Sequence, residues 1–133
     1  MADNYTACHG KLYNVDAIKK FDIRNSPNVR WADDSFFNSM CSELLEMSVM
    51  KIPTVLWTDT KTSILRKVDP ERDKLKQLDF LNAMLLSAEH VLKYKKNINH
   101  LSNTIKYISD SKLLSEEEKK RYNELFNLIR REP

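Results

Sequence analysis

The chain has 133 residues, 41% of them hydrophobic, and a formal net charge of +3. That length supplies one core, the apolar content argues against a wholly disordered chain, and no apolar run approaches the ~20 residues of a membrane span. The single glycine, Gly10, excludes phosphate-cradling loops and dinucleotide fingerprints, which need several, and disfavours sheet-rich folds.

The charge is unevenly spread. Residues 1–60 hold 6 basic and 8 acidic side chains, residues 61–112 hold 11 and 6, and residues 113–133 hold 5 and 5. The middle segment is therefore the basic one, at +5. Abundant Lys, Asn and Ile resemble the usage of AT-rich genomes, large DNA viruses among them. Cys8 and Cys41 are far apart, and "MADNYTACHG" lacks the basic start and apolar run of a secretory signal. These features point to an intracellular protein, cytoplasmic or nuclear, with reduced thiols.

The N-terminal third admits two readings. In "KKFDIRNSPNVRWADD", Phe21 with Ile23 and Val29 with Trp31 alternate on either side of the turn residues Asn25-Ser26-Pro27-Asn28, which suits a short β-hairpin. The competing reading is a short helix over "VDAIKKF" followed by an irregular loop. From Asp33 the pattern is helical. Asp33 or Asp34 can cap "SFFNSMCSELLEMSVMK", with Phe37, Met40, Cys41, Leu44 and Met47 as a buried stripe. Pro53 must end that helix, because it lacks the N–H and clashes with the preceding turn. "TVLWT" then suits a short extended piece, followed by a helix capped by Thr58 or Asp59.

"DPERDKLKQLDFLNAMLLSAEHVLKYKK" is the strongest helix. Asp69 caps it, Pro70 takes its first position, and Glu71 and Asp73 suit its positive end. Leu75, Leu78, Leu81, Leu85, Ala88 and Leu92, widened by Phe80, Met84 and Val91, make an apolar face broad enough for a central helix. Val91, Tyr94, Ile98, Leu101, Ile105 and Ile108 then follow at 3-4-3-4-3 spacing, a coiled-coil seam on one long helix or two helices broken at "KKNIN". The last helix opens with the capping box Ser115 and Glu118 and carries Tyr122, Leu125, Phe126 and Ile129 on one face.

The pattern predicts a mainly α fold: a single-domain helical bundle of four to five helices, admitting a short N-terminal β-hairpin. Residues 1–32 form an irregular or hairpin-containing segment and 33–131 the helical core. No chemistry-bearing constellation stands out. Cys8-His9 lacks a second ligand pair at zinc spacing, Glu89-His90 diverge on a helix, and Asp33-Asp34 and Glu116-Glu117-Glu118 are explained by helix starts. No catalytic residue, cofactor or metal is implied.

The leading expectation is a non-enzymatic protein–protein interaction module, an adaptor, assembly subunit or modulator, whose partner is another protein or a second copy of the chain. Its candidate contact residues are Trp31, Phe36 and Trp57, because aromatic side chains exceed the core stripes, and Ile98, Leu101, Ile105 and Ile108 along the seam. The alternative is nucleic-acid binding through segment 61–112 by Lys93, Lys95, Lys96 and Lys106, with Tyr94 and Tyr107 as stacking faces.

Overall fold

A computed structural model of the chain describes residues 10–48, 69–98 and 101–131, and backbone only at 101, 102, 130 and 131. Among the described residues there are five helices and no strand: α1 (Val15–Lys20), α2 (Asp33–Leu44), α3 (Pro70–Leu92), α4 (Leu101–Asp110) and α5 (Glu116–Arg131).

The N-terminal segment takes the helix-and-loop alternative, and the hairpin is not formed. Asn14 caps α1, its side chain accepting from the N–H groups of Asp16 and Ala17 at 3.0 and 3.2 Å. The helix ends in a Schellman motif. Asp22 adopts a left-handed φ of 49°, which Asp tolerates better than most residues. The Ile23 N–H then donates back to the Ile18 carbonyl at 3.0 Å, and that of Asp22 to Lys19 at 3.1 Å. This reversal turns Phe21 and Ile23 away from a shared strand face. A turn does form, one residue later than Asn25–Asn28, with the Val29 N–H donating to the Ser26 carbonyl at 3.1 Å. The N–H groups beyond it, which a hairpin would pair across strands, instead converge on Asp79 of α3.

That convergence replaces the cap expected for α2. The N-cap is Ala32, with no side-chain hydrogen bond, and Asp33 and Asp34 fall inside the first turn. Of the adjacent phenylalanines, Phe36 points into the core and Phe37 is half-buried, its ring edge-on to Tyr13 at 5.3 Å. α2 ends at Leu44, well before Pro53, and Met47 lies beyond it and is exposed. Lys95 sits at that end. Its ammonium reaches the Glu43 carbonyl at 3.2 Å and the Glu43 carboxylate at 2.6 Å, putting a cation at the negative end of the helix.

α3 starts as its sequence predicts, with the Asp69 side chain accepting from the Arg72 N–H at 3.1 Å and Pro70 in the first position. Its buried residues include Gln77, Leu81, Met84, Ala88 and Val91, spaced 4-3-4-3, and also Ala83 and Ser87 to one side. Leu75, expected in the stripe, is exposed. The helix stops at Leu92, and the Tyr94 and Lys95 N–H groups close on the Val91 carbonyl at 2.9 and 3.0 Å. The 91–108 series is therefore broken: Val91 is on α3, Tyr94 and Ile98 are in the segment after it, and Leu101, Ile105 and Ile108 are on α4. Val91 and Ile108 are fully buried, while Ile98 and Ile105 pack against the same core cluster.

Cross-links set the directions of the helices. Asp79 meets the start of α2 and Lys95 its end, so α2 and α3 run parallel. Ser111 donates to Gln77 at 2.7 Å and Tyr107 stacks edge-on to Phe80, so α4 runs back along α3. Lys74 pairs with Glu118 at 3.0 Å and Tyr122 donates to Asn82 at 3.2 Å, so α5 again follows α3. α3 is the central element. One hydrophobic cluster joins Ile23 and Val29 of the N-terminal loop, Phe36 and Met40 of α2, the α3 seam, Ile108 and Phe126.

Candidate functional site: an aromatic groove at the start of α2

The Asp79 carboxylate receives three successive backbone donors: Arg30 N–H at 3.1 Å on Oδ1, and Trp31 N–H at 2.7 Å and Ala32 N–H at 2.9 Å on Oδ2. Hydrogen bonds to a charged acceptor are the stronger kind, and here they fix a loop to a helix 47 to 49 residues away in sequence. The fixed loop presents Trp31, which is 39% exposed. The Arg30 guanidinium lies 4.7 Å from the Trp31 ring centre, a cation–π contact that also covers part of the indole.

Trp31 forms one wall of an open groove of about 560 Å³. Phe80 and Tyr107, with ring centres 5.0 Å apart, and Leu113 also line it. Leu113 is held by Ser111. The Ser111 hydroxyl donates to Gln77 and accepts the Leu113 and Leu114 N–H groups, each at 3.2 Å. Arg72, Asp73 and Lys76 of α3 line the groove and supply its charge. Arg72 and Asp73 approach each other at 3.9 Å, which partly cancels that charge.

Of the residues expected at a partner surface, Trp31 is in this groove. Phe36 is 6% exposed and Ile108 fully buried, so both serve the core of this chain. Ile98 and Ile105 are half-buried against the same core. Trp57 and the side chain of Leu101 lie outside the described residues, as do Cys8, His9 and His100. The expected basic residues do not form one cluster. Lys93 and Lys96 are exposed where α3 ends, Lys95 turns inward onto Glu43, and Lys106 is exposed on α4. Phe80, Leu113 and Asp79 carry no signal in the sequence that marks them as groove residues. Tyr107 reads there as a stacking face, and its neighbours are set by tertiary contact.

Cys41 is buried, and His90 directs Nε2 to the Phe21 carbonyl at 2.8 Å. Among the described residues, no group of three or more His, Cys, Asp or Glu can hold a metal ion, and no helix is long and apolar enough to cross a membrane. No protein-family model, curated protein or solved structure matches the chain.

Proposed function

We propose that this protein is a non-enzymatic interaction module that docks a segment of another protein into the Trp31 groove. The carrying observation is the pre-set anchor: an exposed Trp with Arg stacked on it, its backbone pinned by Asp79, lining a groove together with Phe80, Tyr107 and Leu113. Trp, Tyr and Arg dominate the energetics of protein interfaces, and side chains ordered before binding lose less entropy on docking. The full sequence supplies no catalytic motif that would favour an enzyme instead. An intracellular setting, cytoplasmic or nuclear, suits a chain whose buried Cys41 packs as a small apolar residue.

The test is site-specific photo-crosslinking in cells. A photoreactive residue replaces Leu113 at the groove, or the exposed Leu128 on α5 as a control. A protein partner captured from position 113, absent from 128 and lost with Trp31→Ala supports the reading. The same capture from both positions, or capture indifferent to Trp31→Ala, refutes it. A partner that proves to be a second copy assigns the groove to self-association.

A further inference from the structure

The tertiary structure joins two basic sequences that are far apart in the chain. α1 ends in Lys19-Lys20, and α3 is followed by Lys93, Tyr94, Lys95 and Lys96. They meet through Phe21. Its carbonyl takes His90 Nε2 at 2.8 Å, and its ring lies edge-on to Tyr94 at 5.3 Å. The Lys20 ammonium sits over the Phe21 ring, 5.2 Å from its centre. Lys19, Lys20, Lys93 and Lys96 are exposed around this junction, and Tyr94 at its centre is 44% exposed.

Nearby acids neutralise it only in part, Asp16 on α1 standing one turn before Lys19 and Lys20. Asp22 is paired with Arg24, and Glu43 is spent on Lys95, with its side chain 4% exposed. Glu89 is the exposed acid on the last turns of α3. Lysines at helix ends also offset the helix dipole, which accounts for part of the clustering. The dipole does not account for an aromatic ring left half in water among them. Phe21, perpendicular to that ring at 5.3 Å, and His90, tilted against it at 5.5 Å, pack on it and order it while 44% of the residue stays exposed.

We propose that this face binds single-stranded nucleic acid, with Lys19, Lys20, Lys93 and Lys96 facing phosphates and Tyr94 stacking on a base. A cationic track with an aromatic platform is how sequence-tolerant single-strand binders work. The face differs from the basic surface read from the sequence. Lys95 is withdrawn into its ion pair, Lys106 lies on α4, and Lys19 and Lys20 take their place. It is also separate from the Trp31 groove, which contacts α3 near Phe80, roughly 20 Å away along the helix axis.

The experiment is fluorescence anisotropy of the full chain with labelled 15-nucleotide oligo(dT) and oligo(U), from 50 to 200 mM NaCl. Four lysine–phosphate contacts on a single strand predict a slope of about −3 in log K against log salt, hence roughly 50-fold weaker binding over that range. Lys19→Glu with Lys20→Glu should weaken binding at least tenfold. Tyr94→Ala should weaken it by between about 5- and 150-fold. Lys106→Glu should leave it unchanged. A readout on the unaltered chain complements these: bound oligonucleotide should protect Lys19 and Lys93 from acetylation but not Lys106. Absence of binding at 50 mM salt, or binding that survives charge reversal at all four lysines, overturns the proposal. So does capture of the chain by phosphatidylserine vesicles without any binding to oligonucleotide, which would assign the face to a membrane surface.

Discussion

Replacing Asp79 by Ala tests the link between α3 and the loop that carries Trp31. The substitution removes the acceptor of three backbone donors. Arg30 and Trp31 are at the surface, where water replaces the carboxylate at small net cost. Ala32 is 6% exposed, so its N–H is left poorly solvated. One stranded buried donor and the loss of charge-assisted bonds cost about 2–3 kcal/mol, against which alanine's better helix propensity returns roughly 0.5 kcal/mol. The net expectation is about 2 kcal/mol, or a fall in Tm of roughly 8 °C for a chain of this size. Asp79→Asn, which keeps one acceptor oxygen, should cost about half as much. Asp33→Ala and Asp34→Ala, the caps suggested by the sequence alone, should cost only about 0.5 kcal/mol each through the helix dipole. Urea unfolding followed by circular dichroism at 222 nm measures all four. If Asp79→Ala proves no more costly than Asp33→Ala, the carboxylate does not fix the loop and the pre-ordered anchor fails with it.

Lys95→Met deprives the buried Glu43 carboxylate of its cation and should cost about 2 kcal/mol, the low side for a buried pair because the Lys95 side chain is 31% exposed. Replacing both partners by Met should recover most of that loss, and urea midpoints of the single and double variants decide it. The Ser115 N–H, then Lys74, hold the Glu118 carboxyl below its ordinary range. That contribution is complete above the ordinary glutamate value of about 4.3 and disappears as pH falls through the lower folded value. The stability gap between the parent chain and Glu118→Gln should therefore close in acid, and a gap constant from pH 6 to pH 2.5 contradicts this. Burial raises the Tyr122 phenol, so the folded state favours its neutral form. Its contribution is full below the ordinary tyrosine value of about 10 and is lost as pH rises through the higher folded value. Tyr122→Phe should remove that alkaline component of unfolding, and an unchanged alkaline profile would count against it.

Local chemistry made several elements legible in the sequence. The Asp69-Pro70 start of α3 and the Ser115–Glu118 capping box form as read, the latter with bonds of 2.8 and 3.2 Å. Both depend on residues within one helical turn, so the interacting groups are neighbours whatever the rest of the chain does. Apolar spacing likewise marked Leu81, Met84, Ala88, Val91, Tyr122 and Phe126 as core, because a fixed helical period puts them on one face.

Tertiary structure decided what depends on distant groups. Asp79, 47 residues from Ala32, takes the donors that a hairpin would have paired. Lys95 places a cation at the end of α2, on Glu43 52 residues away, from the segment just beyond α3 where the 91–108 seam breaks. The adjacent Phe36 and Phe37 show the same limit. Periodicity states that only one of them can face fully inward, while the position of α3 selects Phe36. The Trp31 groove and the Lys19–Lys93 face are likewise assembled from segments that neither spacing nor composition relates. Contacts within a turn are written in the local sequence, whereas a contact between helices depends on how the whole core packs.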